Sequence, residues 1–332
     1  MTDLLDRARA LADDVLFPAA LETDAAGVLP ASNLDALADL GLYGIFAPPE
    51  DGGLGADFPT MCTAIEALAG GCLTTTLVWI QHFGLLGALL GGPPHLRGAW
   101  LPDACRGDRR GGIAFGGLLP GPPVLTATPL EGDDHRGAWR IDGFAPWVSG
   151  WGRIDLLHVA ARGPDDTVVN VAVDAVEHTE LTVTRQRLAA LDASNTVRVD
   201  FDGLVVDPER VLSVVPYDPA GSLGTSLRLN GSLSLGVARR ACALLGSTAL
   251  DDELDERRAA LDDADADTMA VERARASELA LRSAAALAVH AGSRAVRTDE
   301  HAQRLVREAM FLLVFGSRQP IKDALLADLT RR

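Results

Sequence analysis

The sequence predicts an α+β chain in three parts: a helical part over residues 1–110, an antiparallel β part over 111–214 and a helical bundle over 215–332. Apolar residues keep helical spacing through the first part, up to about Cys105. From Gly111 onward glycine, proline, threonine and valine dominate, and short runs alternate with a period of two. Helical spacing returns after a linker at residues 213–222. These changes of period predict the order helical, β, helical.

In the first part, the spacing predicts helices over residues 3–17, 34–42, 60–69, 77–90 and 96–104. Leu4, Ala8, Leu11 and Val15 lie on one face of the first helix, as expected for a helix that packs on a core. The run APPEDGGLGADF at residues 47–58 contains two prolines and three glycines, which is typical of a loop. The first 110 residues are therefore expected to be helices joined by loops.

In the β part, residues 168–173 and 196–205 alternate with strand periodicity. Asp142 and Gly143 predict a turn that leads into an extended run with Trp147 and Trp151. In the last part, helices are predicted over residues 227–245, 251–263, 266–291, 299–314 and 320–329. The last part is therefore expected to be a helical bundle.

Composition narrows the classes of function. The chain has 332 residues, of which 48% are hydrophobic and 23% charged, which is typical of a globular protein. Its formal net charge of −16 disfavours nucleic acid and anionic membrane surfaces as partners. An anionic ligand would therefore need a local basic patch.

Cysteines and the N-terminus suggest where the protein works. The four cysteines have no metal-type spacing and are expected to be buried thiols, so we predict no metal site and a cytoplasmic location. Histidines 82, 158, 178, 290 and 301 also lack paired metal spacing and are expected to be structural. The first 17 residues have no apolar signal core, and no apolar run is expected to span a membrane.

The run IDGFAPWVSGWG at residues 141–152 is the strongest candidate for a ligand-binding strand. It carries Trp147, Ser149 and Trp151, and a flat indole can stack on an aromatic ligand. The alternative is that both tryptophans are cross-strand packing residues of the β part. The strand alone leaves these two interpretations open.

Several strings in one order resemble the acyl-CoA dehydrogenase family. Trp147-Val148-Ser149 is similar to the Trp-Ile-Thr strand that holds the flavin ring in that family. Further similar strings are LGLYGIFAPPEDGGLG at 40–55, TVRVDFDGLVVDPERVL at 196–212, LNGSLSLGVARRA at 229–241 and Arg307-Glu308-Ala309. The resemblance covers nearly the whole chain. It implies an acyl-CoA dehydrogenase-like fold with an N-terminal helical domain, a central antiparallel β-domain and a C-terminal four-helix bundle, here shortened.

The resemblance also implies FAD as cofactor and a role in fatty acid or lipid metabolism. Trp147 would lie along the isoalloxazine ring, and Ser149 would hydrogen-bond its N5/O4 edge. Phe115, Gly116 and Gly117 stand in the segment that precedes the family's β-domain, where backbone N–H groups could meet the flavin. Gly316 and Ser317 stand where the family has Gly-Thr. The chain has no G-x-G-x-x-G motif after a strand, which disfavours a Rossmann mode of binding.

The chain departs from the family at the catalytic base. Phe315 occupies the position of the usual glutamate, and phenylalanine cannot accept a proton, so the catalytic residue is unknown. Some relatives carry the glutamate on the first C-terminal helix, but residues 226–233 contain no acid. Arg228 is the charge in that window, where it either binds a substrate carbonyl or phosphate or makes a helix-packing contact. The family's Arg…Phe-Gly-Lys/Arg-Pro segment, which reaches a neighbouring subunit's FAD, has no counterpart between Leu245 and Asp251.

Three functions follow from these observations. The first is a FAD-dependent oxidoreductase that carries out α,β-dehydrogenation of an acyl-CoA thioester, either alone or in a complex. The second is a non-catalytic or half-site subunit of a hetero-oligomer with a glutamate-bearing paralogue. The third is a flavin-dependent monooxygenase on the same fold, which needs no α-proton base. Apolar faces at residues 229–245 and 284–314 predict an oligomer in any of these cases.

Overall fold

The chain folds as predicted into helices, then a sheet, then helices. The computed structural model describes residues 2–132, 136–218, 223–246, 248–316 and 318–330. Helices occupy Thr2 to Arg106, strands occupy Gly111 to Pro216, and helices return from Leu223 to Leu329. The predicted fold class, α+β with a mostly antiparallel central sheet, is confirmed.

The N-terminal helices end close to the predicted residues, with one exception. They are α1 (Thr2–Ala10), α2 (Phe17–Ala26), α3 (Ala31–Asp39), α4 (Phe58–Gly71), α5 (Leu73–Leu90) and α6 (Pro94–Arg106). A π-helical segment, Leu11–Leu16, joins α1 to α2, so the first helix continues well beyond the predicted end at Phe17. Proline normally disrupts a helix interior, and the wider π turn directly before Pro18 accommodates its ring. Asp57 caps α4 by accepting a hydrogen bond from Thr60 N at 2.9 Å.

Eight strands form the central sheet in the described part of the chain. These are β1 (Gly111–Ala114), β2 (Leu125–Pro129), β3 (Trp139–Val148), β4 (Leu156–Arg162), β5 (Thr167–Asp174), β6 (Leu181–Arg185), β7 (Val197–Val206) and β8 (Val211–Pro216). Their order across the sheet is β6-β7-β3-β2-β4-β5-β8, and β1 pairs with β4. The pairs β1·β4 and β2·β4 are parallel, and the others are antiparallel. Strand β3 therefore lies inside the sheet, between β7 and β2.

The turn predicted at Asp142-Gly143 is wrong, because both residues lie inside β3. The pairing of β3 with β7 shifts register between Ile141 and Gly143, which is the signature of a β-bulge. Gly143 has φ +111°, and a Cβ there would lie 2.2 Å from the carbonyl oxygen of Val124 on the neighbouring chain segment. The bulge therefore requires glycine for two reasons, backbone conformation and close approach.

The C-terminal helices complete the fold. They are α7 (Leu223–Leu245), α8 (Thr248–Asp263), α9 (Met269–Ala291), α10 (His301–Val314) and α11 (Gln319–Leu329). Helices α7 and α4 approach closely, since a Cβ on Gly236 would lie 2.4 Å from the carbonyl oxygen of Glu66. One hydrophobic core joins buried residues of the N-terminal and C-terminal helices, and a second lies in the sheet. The two helical parts thus share their largest core.

Helix α5 corrects one expectation about apolar runs. By length and composition its 18 residues could cross a membrane, with a mean hydropathy of 1.4. However, 67% of that window is buried inside the protein, mainly against other helices and the sheet. A core helix of a globular fold has the same properties, so this run is weak evidence for a membrane span.

Candidate functional site

Trp147 lies near the end of β3 and is the most exposed tryptophan of the β part. Its side chain is 61% exposed, although most large apolar side chains of the chain are buried. Strand β2 pairs with β3 only as far as Gly143, and Phe144 N donates to the Val124 carbonyl directly before β2. Beyond that point, Ala145 and Val148 pair with β7 alone. The end of β3 thus presents a flat aromatic surface beside a strand edge that β2 does not cover.

Ser149 lies two residues after Trp147, directly beyond the end of β3. Its hydroxyl lies 2.8 Å from the hydroxyl of Thr196, which lies 2.7 Å from that of Ser194. Gly150 N donates to the Ser194 carbonyl at 2.8 Å, which fixes the chain directly after Ser149. These contacts orient the Ser149 hydroxyl through a chain of three hydroxyl groups.

The loop between β6 and β7 connects this strand to the helices. Arg307 on α10 donates to the Ala189 carbonyl of that loop at 3.1 Å and pairs with Asp24 on α2. Gly150 packs against α5, because a Cβ on it would lie 2.8 Å from Val78. Arg307 therefore ties together the N-terminal helices, the sheet and the C-terminal bundle.

Phe115, Gly116 and Gly117 lie where a short 3₁₀ turn crosses the sheet. A Cβ on Gly116 would lie 2.4 Å from the Phe144 carbonyl of β3, and one on Gly117 would lie 2.5 Å from Arg162 N of β4. The Phe115 ring meets the edge of the His158 ring, with centroids 4.9 Å apart. Both glycines are needed for this close packing, and their contact with a cofactor stays a prediction.

His158 and His82 support the structural role expected of the histidines. His158 Nδ1 lies 3.0 Å from the Gly84 carbonyl, and its Nε2 lies 2.9 Å from Asn170 Oδ1. Burial lowers the pKa of His158 from its usual value. His82 is fully buried and accepts a hydrogen bond from Gly111 N at 2.9 Å. Both imidazoles join helix α5 to the sheet.

The position expected for the base has no carboxylate. Phe315 ends α10, and its ring stacks on Phe311 with centroids 5.2 Å apart. The next residue, Gly316, has φ +60°, and a Cβ on it would lie 2.9 Å from Nδ2 of Asn230 on α7. The structure thus places the first position expected for a base next to Asn230, which lies in the second expected window, residues 226–233. Ser317 lies outside the described residues, so its predicted contact with the flavin has no structural account.

Asn230 is the residue that sequence reasoning missed. Residues 226–233 contain no acid, and the carboxamide of Asn230 gives no sequence signal of a catalytic role. Its contact with Gly316 joins residues 86 positions apart, which no local pattern reveals. A carboxamide donates and accepts hydrogen bonds but does not act as a base near neutral pH.

Arg228 and Glu308 are both engaged in packing contacts. Arg228 is 5% exposed; its guanidinium donates to Asp262 on α8 at 2.7 Å and to Ser232 at 2.7 Å. This supports the helix-packing alternative, and contact with a substrate stays a prediction. Glu308 is buried against Arg304, and burial raises the pKa of its carboxyl. Glu308 also lies about two turns of α10 before Phe315, so it does not occupy the base position.

The groups at the end of β3 fit a flavin. A flavin ring is aromatic and has hydrogen-bonding edges, so it can stack on an exposed indole and bond to an oriented hydroxyl and a strand edge. Trp147 and Ser149 would hold such a ring. In the described ranges, no group of three or more histidine, cysteine, aspartate or glutamate side chains could hold a metal ion.

Comparison with known proteins bears on the family and the fold. A family model described as "Acyl-CoA dehydrogenase, N-terminal domain" matches residues 2–108. Benzylmalonyl-CoA dehydrogenase of Aromatoleum aromaticum is 29% identical over 259 residues, which cover 72% of this chain and 67% of that protein. The human mitochondrial short-chain specific acyl-CoA dehydrogenase is 29% identical over 151 residues, 44% of this chain and 36% of that protein. The sequence matches therefore span about one third to two thirds of these relatives.

Solved structures share the whole architecture. Butyryl-CoA dehydrogenase of Megasphaera elsdenii superposes with a TM-score of 0.80 at 17% identity, covering 99% of this chain and 98% of that one. Dibenzothiophene monooxygenase of Paenibacillus superposes with a TM-score of 0.78 at 21% identity, covering 100% and 98%. Helices, central sheet and helical bundle in this order define the acyl-CoA dehydrogenase fold. The family model over residues 2–108 and the sequence matches support membership of the acyl-CoA dehydrogenase family, and the solved structures show that the chain has that family's fold.

Proposed function

We propose that the protein is a FAD-dependent oxidoreductase of the acyl-CoA dehydrogenase type. The observation that carries this proposal is the 61% exposed indole of Trp147 at the end of β3, beside the oriented Ser149 hydroxyl. A similarly folded glutaryl-CoA dehydrogenase of Mycobacterium smegmatis, TM-score 0.80, was solved in complex with FADH2. Relatives that act on CoA thioesters support an acyl-CoA substrate.

When bound, FAD supplies a hydride acceptor. Trp147 would orient the flavin by stacking, and Ser149 would hydrogen-bond one edge of the ring. The α-proton of an acyl thioester also needs an acceptor, and Phe315 and Asn230 provide none. We therefore propose that dehydrogenation takes place in a complex, in which a glutamate-bearing paralogue contributes the carboxylate.

Exposed apolar side chains support the oligomer in this proposal. Val289 and Val296 near the end of α9 and Val314 at the end of α10 are 82%, 84% and 69% exposed. Strongly exposed apolar side chains near the ends of two neighbouring helices are suited to a surface that a further chain covers. A second copy of this chain would cover the same apolar side chains, but it carries the same Phe315 and Asn230. Only an unlike partner would also supply a base.

A flavin-dependent monooxygenase is the second candidate, and the uncharged base position favours it. Chemistry between reduced flavin and oxygen needs no α-proton base, so Phe315 and Asn230 are compatible with it. The structural likeness to dibenzothiophene monooxygenase supports the same candidate. The substrate would then be one that the apolar Phe311–Phe315 pair can contact.

Replacing Phe315 by glutamate tests the first proposal. Flavin-loaded wild type, Phe315→Glu and the control Phe311→Glu are mixed anaerobically with acyl-CoA of several chain lengths, and bleaching of flavin absorbance is followed. A general base contributes a factor of about 100 to 10,000, so Phe315→Glu should bleach faster than wild type by that order. The control places the same carboxylate one turn earlier and should not.

Absence of bleaching in flavin-loaded Phe315→Glu with every acyl-CoA would contradict the assignment of Phe315 to the base position. The oxygen reaction is tested with the wild type after chemical reduction, by adding labelled O2 and candidate substrates. Label in an organic product would establish the second candidate instead.

We also propose a cytoplasmic location. All four cysteines are free thiols and all are buried. Free thiols are typical of a reducing compartment.

A further inference from the structure

Arg273 on α9 is buried where helices α7, α9 and α10 meet. Its side chain is 1% exposed, and it is among the largest fully buried side chains of the chain. One guanidinium nitrogen donates to the Leu312 carbonyl of α10 at 3.1 Å, and another donates to Ser277. The Ser277 hydroxyl also lies 3.2 Å from the Leu312 carbonyl and 3.3 Å from the hydroxyl of Ser234 on α7. Arg273 therefore contacts the last turn of α10 from inside the bundle.

This cation has no carboxylate partner in the described part of the chain. The other fully buried arginine of the bundle, Arg304, is paired with Glu308, whereas Arg273 meets only hydroxyl and carbonyl oxygens. Burial lowers the pKa of Arg273 to about 10, so the guanidinium stays charged at neutral pH. Its Nε is buried without a hydrogen-bond partner. A buried charge without a counter-ion is unfavourable for stability, so its presence calls for a compensating role.

The end of α10 supplies that compensation. Helix carbonyls near a C-terminus lack intrahelical partners, and a cation there interacts favourably with the helix dipole. Phe315 N still donates to Phe311 at 2.9 Å, but Gly316 turns out of the helix at φ +60°. The carbonyl of Leu312 therefore loses the N–H of Gly316, which would be its partner in a continued helix. Arg273 and Ser277 occupy that carbonyl in place of the missing N–H.

We propose that Arg273 is a positioning residue that holds the Phe315–Gly316 turn against Asn230. It caps Leu312 three residues before Phe315, and so it fixes the direction in which the chain leaves α10. The turn belongs to the candidate site only if the proposed function is correct. The positioning role itself concerns the turn and is measurable without flavin or substrate.

Hydrogen–deuterium exchange of peptides covering residues 309–316 tests this role. In Arg273→Met the shape is largely kept, but the charge and all donors are lost. A hydrogen bond from a charged group corresponds to an equilibrium factor of about ten to a hundred, so exchange near Phe315 and Gly316 should rise by that order. Arg273→Lys keeps a charged donor and should restore most of the protection.

Arg304→Met is the matched control. It removes a second buried arginine that contacts α10 and destabilises the fold through Glu308, yet it leaves the Leu312 cap in place. Exchange at residues 309–316, relative to α7 and α9, should therefore rise in Arg273→Met and not in the control. An equal rise in exchange over α7, α9 and α10, or unchanged exchange at residues 309–316, would overturn the proposal. If Arg273→Met does not fold, Ser277→Ala, which removes the other donor to the Leu312 carbonyl, should raise exchange at the turn, and wild-type exchange in that variant would also overturn the proposal.

Flavin binding and acyl-CoA turnover by the wild type are separate measurements. Their failure would remove the proposed function and leave the exchange result standing. A negative exchange result would remove only the role of Arg273.

Discussion

Single residues at this site show how position changes the meaning of a residue type. Trp147 and Trp79 are both tryptophans, but Trp79 is fully buried and donates to the Leu42 carbonyl at 3.2 Å, whereas Trp147 is open to solvent. Arg228 and Arg273 are both buried arginines, but among the described residues Arg228 has a carboxylate partner and Arg273 has none. The residue type alone therefore does not determine the role of these side chains. The surrounding fold decides it.

His82 makes stability depend on acid pH. Burial lowers its pKa to about 3, and Gly111 N donates to Nδ1, which must therefore stay unprotonated in the fold. In the unfolded chain the pKa is about 6.5, so below that pH the unfolded state binds a proton that the folded state does not. Stability due to His82 is thus complete above about pH 6.5 and is lost as the pH falls toward about 3.

This loss amounts to about 2 kcal/mol between pH 7 and pH 5. The variant His82→Gln keeps an acceptor for Gly111 N and removes the titration. Urea unfolding of both proteins at pH 7 and pH 5 should show a decrease in unfolding free energy that is smaller in the variant by about that amount. Equal decreases would mean that His82 is not held neutral by burial.

At the scale of elements, periodicity predicted the helices well and tertiary contacts less well. Predicted helix limits such as 60–69 and 299–314 differ from the observed ones by only a few residues, because an apolar stripe is a local property. The prediction of a turn at Asp142-Gly143 was wrong because the bulge depends on Val124, which lies directly before β2 and is distant in sequence from Gly143. The contact between Asn230 and Gly316 and the cap by Arg273 are also non-local. Local sequence therefore indicates most elements but not how their ends meet.

Close packing of α7 on α4 gives a prediction at this scale. A Cβ at Gly236 would lie 2.4 Å from the Glu66 carbonyl oxygen, and backbone cannot move away as a side chain can. Gly236→Ala should therefore destabilise the fold by about 1–3 kcal/mol, as overpacking does in other cores.

Gly98 in α6 provides the control. It is exposed, and a Cβ there would meet nothing within 4 Å. Gly98→Ala should stabilise the protein by about 0.5–1 kcal/mol, because alanine loses less entropy in a helix. Thermal unfolding of both variants measures the two effects. If Gly236→Ala is also stabilising, α4 and α7 are not in backbone contact.

At the scale of the whole molecule, the three parts meet around the end of β3. The N-terminal and C-terminal helices share one core, and Arg307 connects both of them to the loop between β6 and β7. The sequence predicted this order of parts and Trp147 as a candidate cofactor contact. It could not predict that Gly316 lies next to Asn230, since that depends on the packing of α10 against α7.

FAD binding to the purified chain tests the central claim most directly. Wild type, Trp147→Ala and the control Val205→Ala, which removes another exposed apolar side chain of the sheet, are titrated with FAD and followed by visible absorption and flavin fluorescence. Wild type and Val205→Ala should bind alike, and loss of the stacking surface should weaken Trp147→Ala by about tenfold or more. Equal binding by all three proteins would contradict the site at Trp147. Absence of flavin from wild type, both alone and co-expressed with a glutamate-bearing paralogue, would contradict the proposed cofactor.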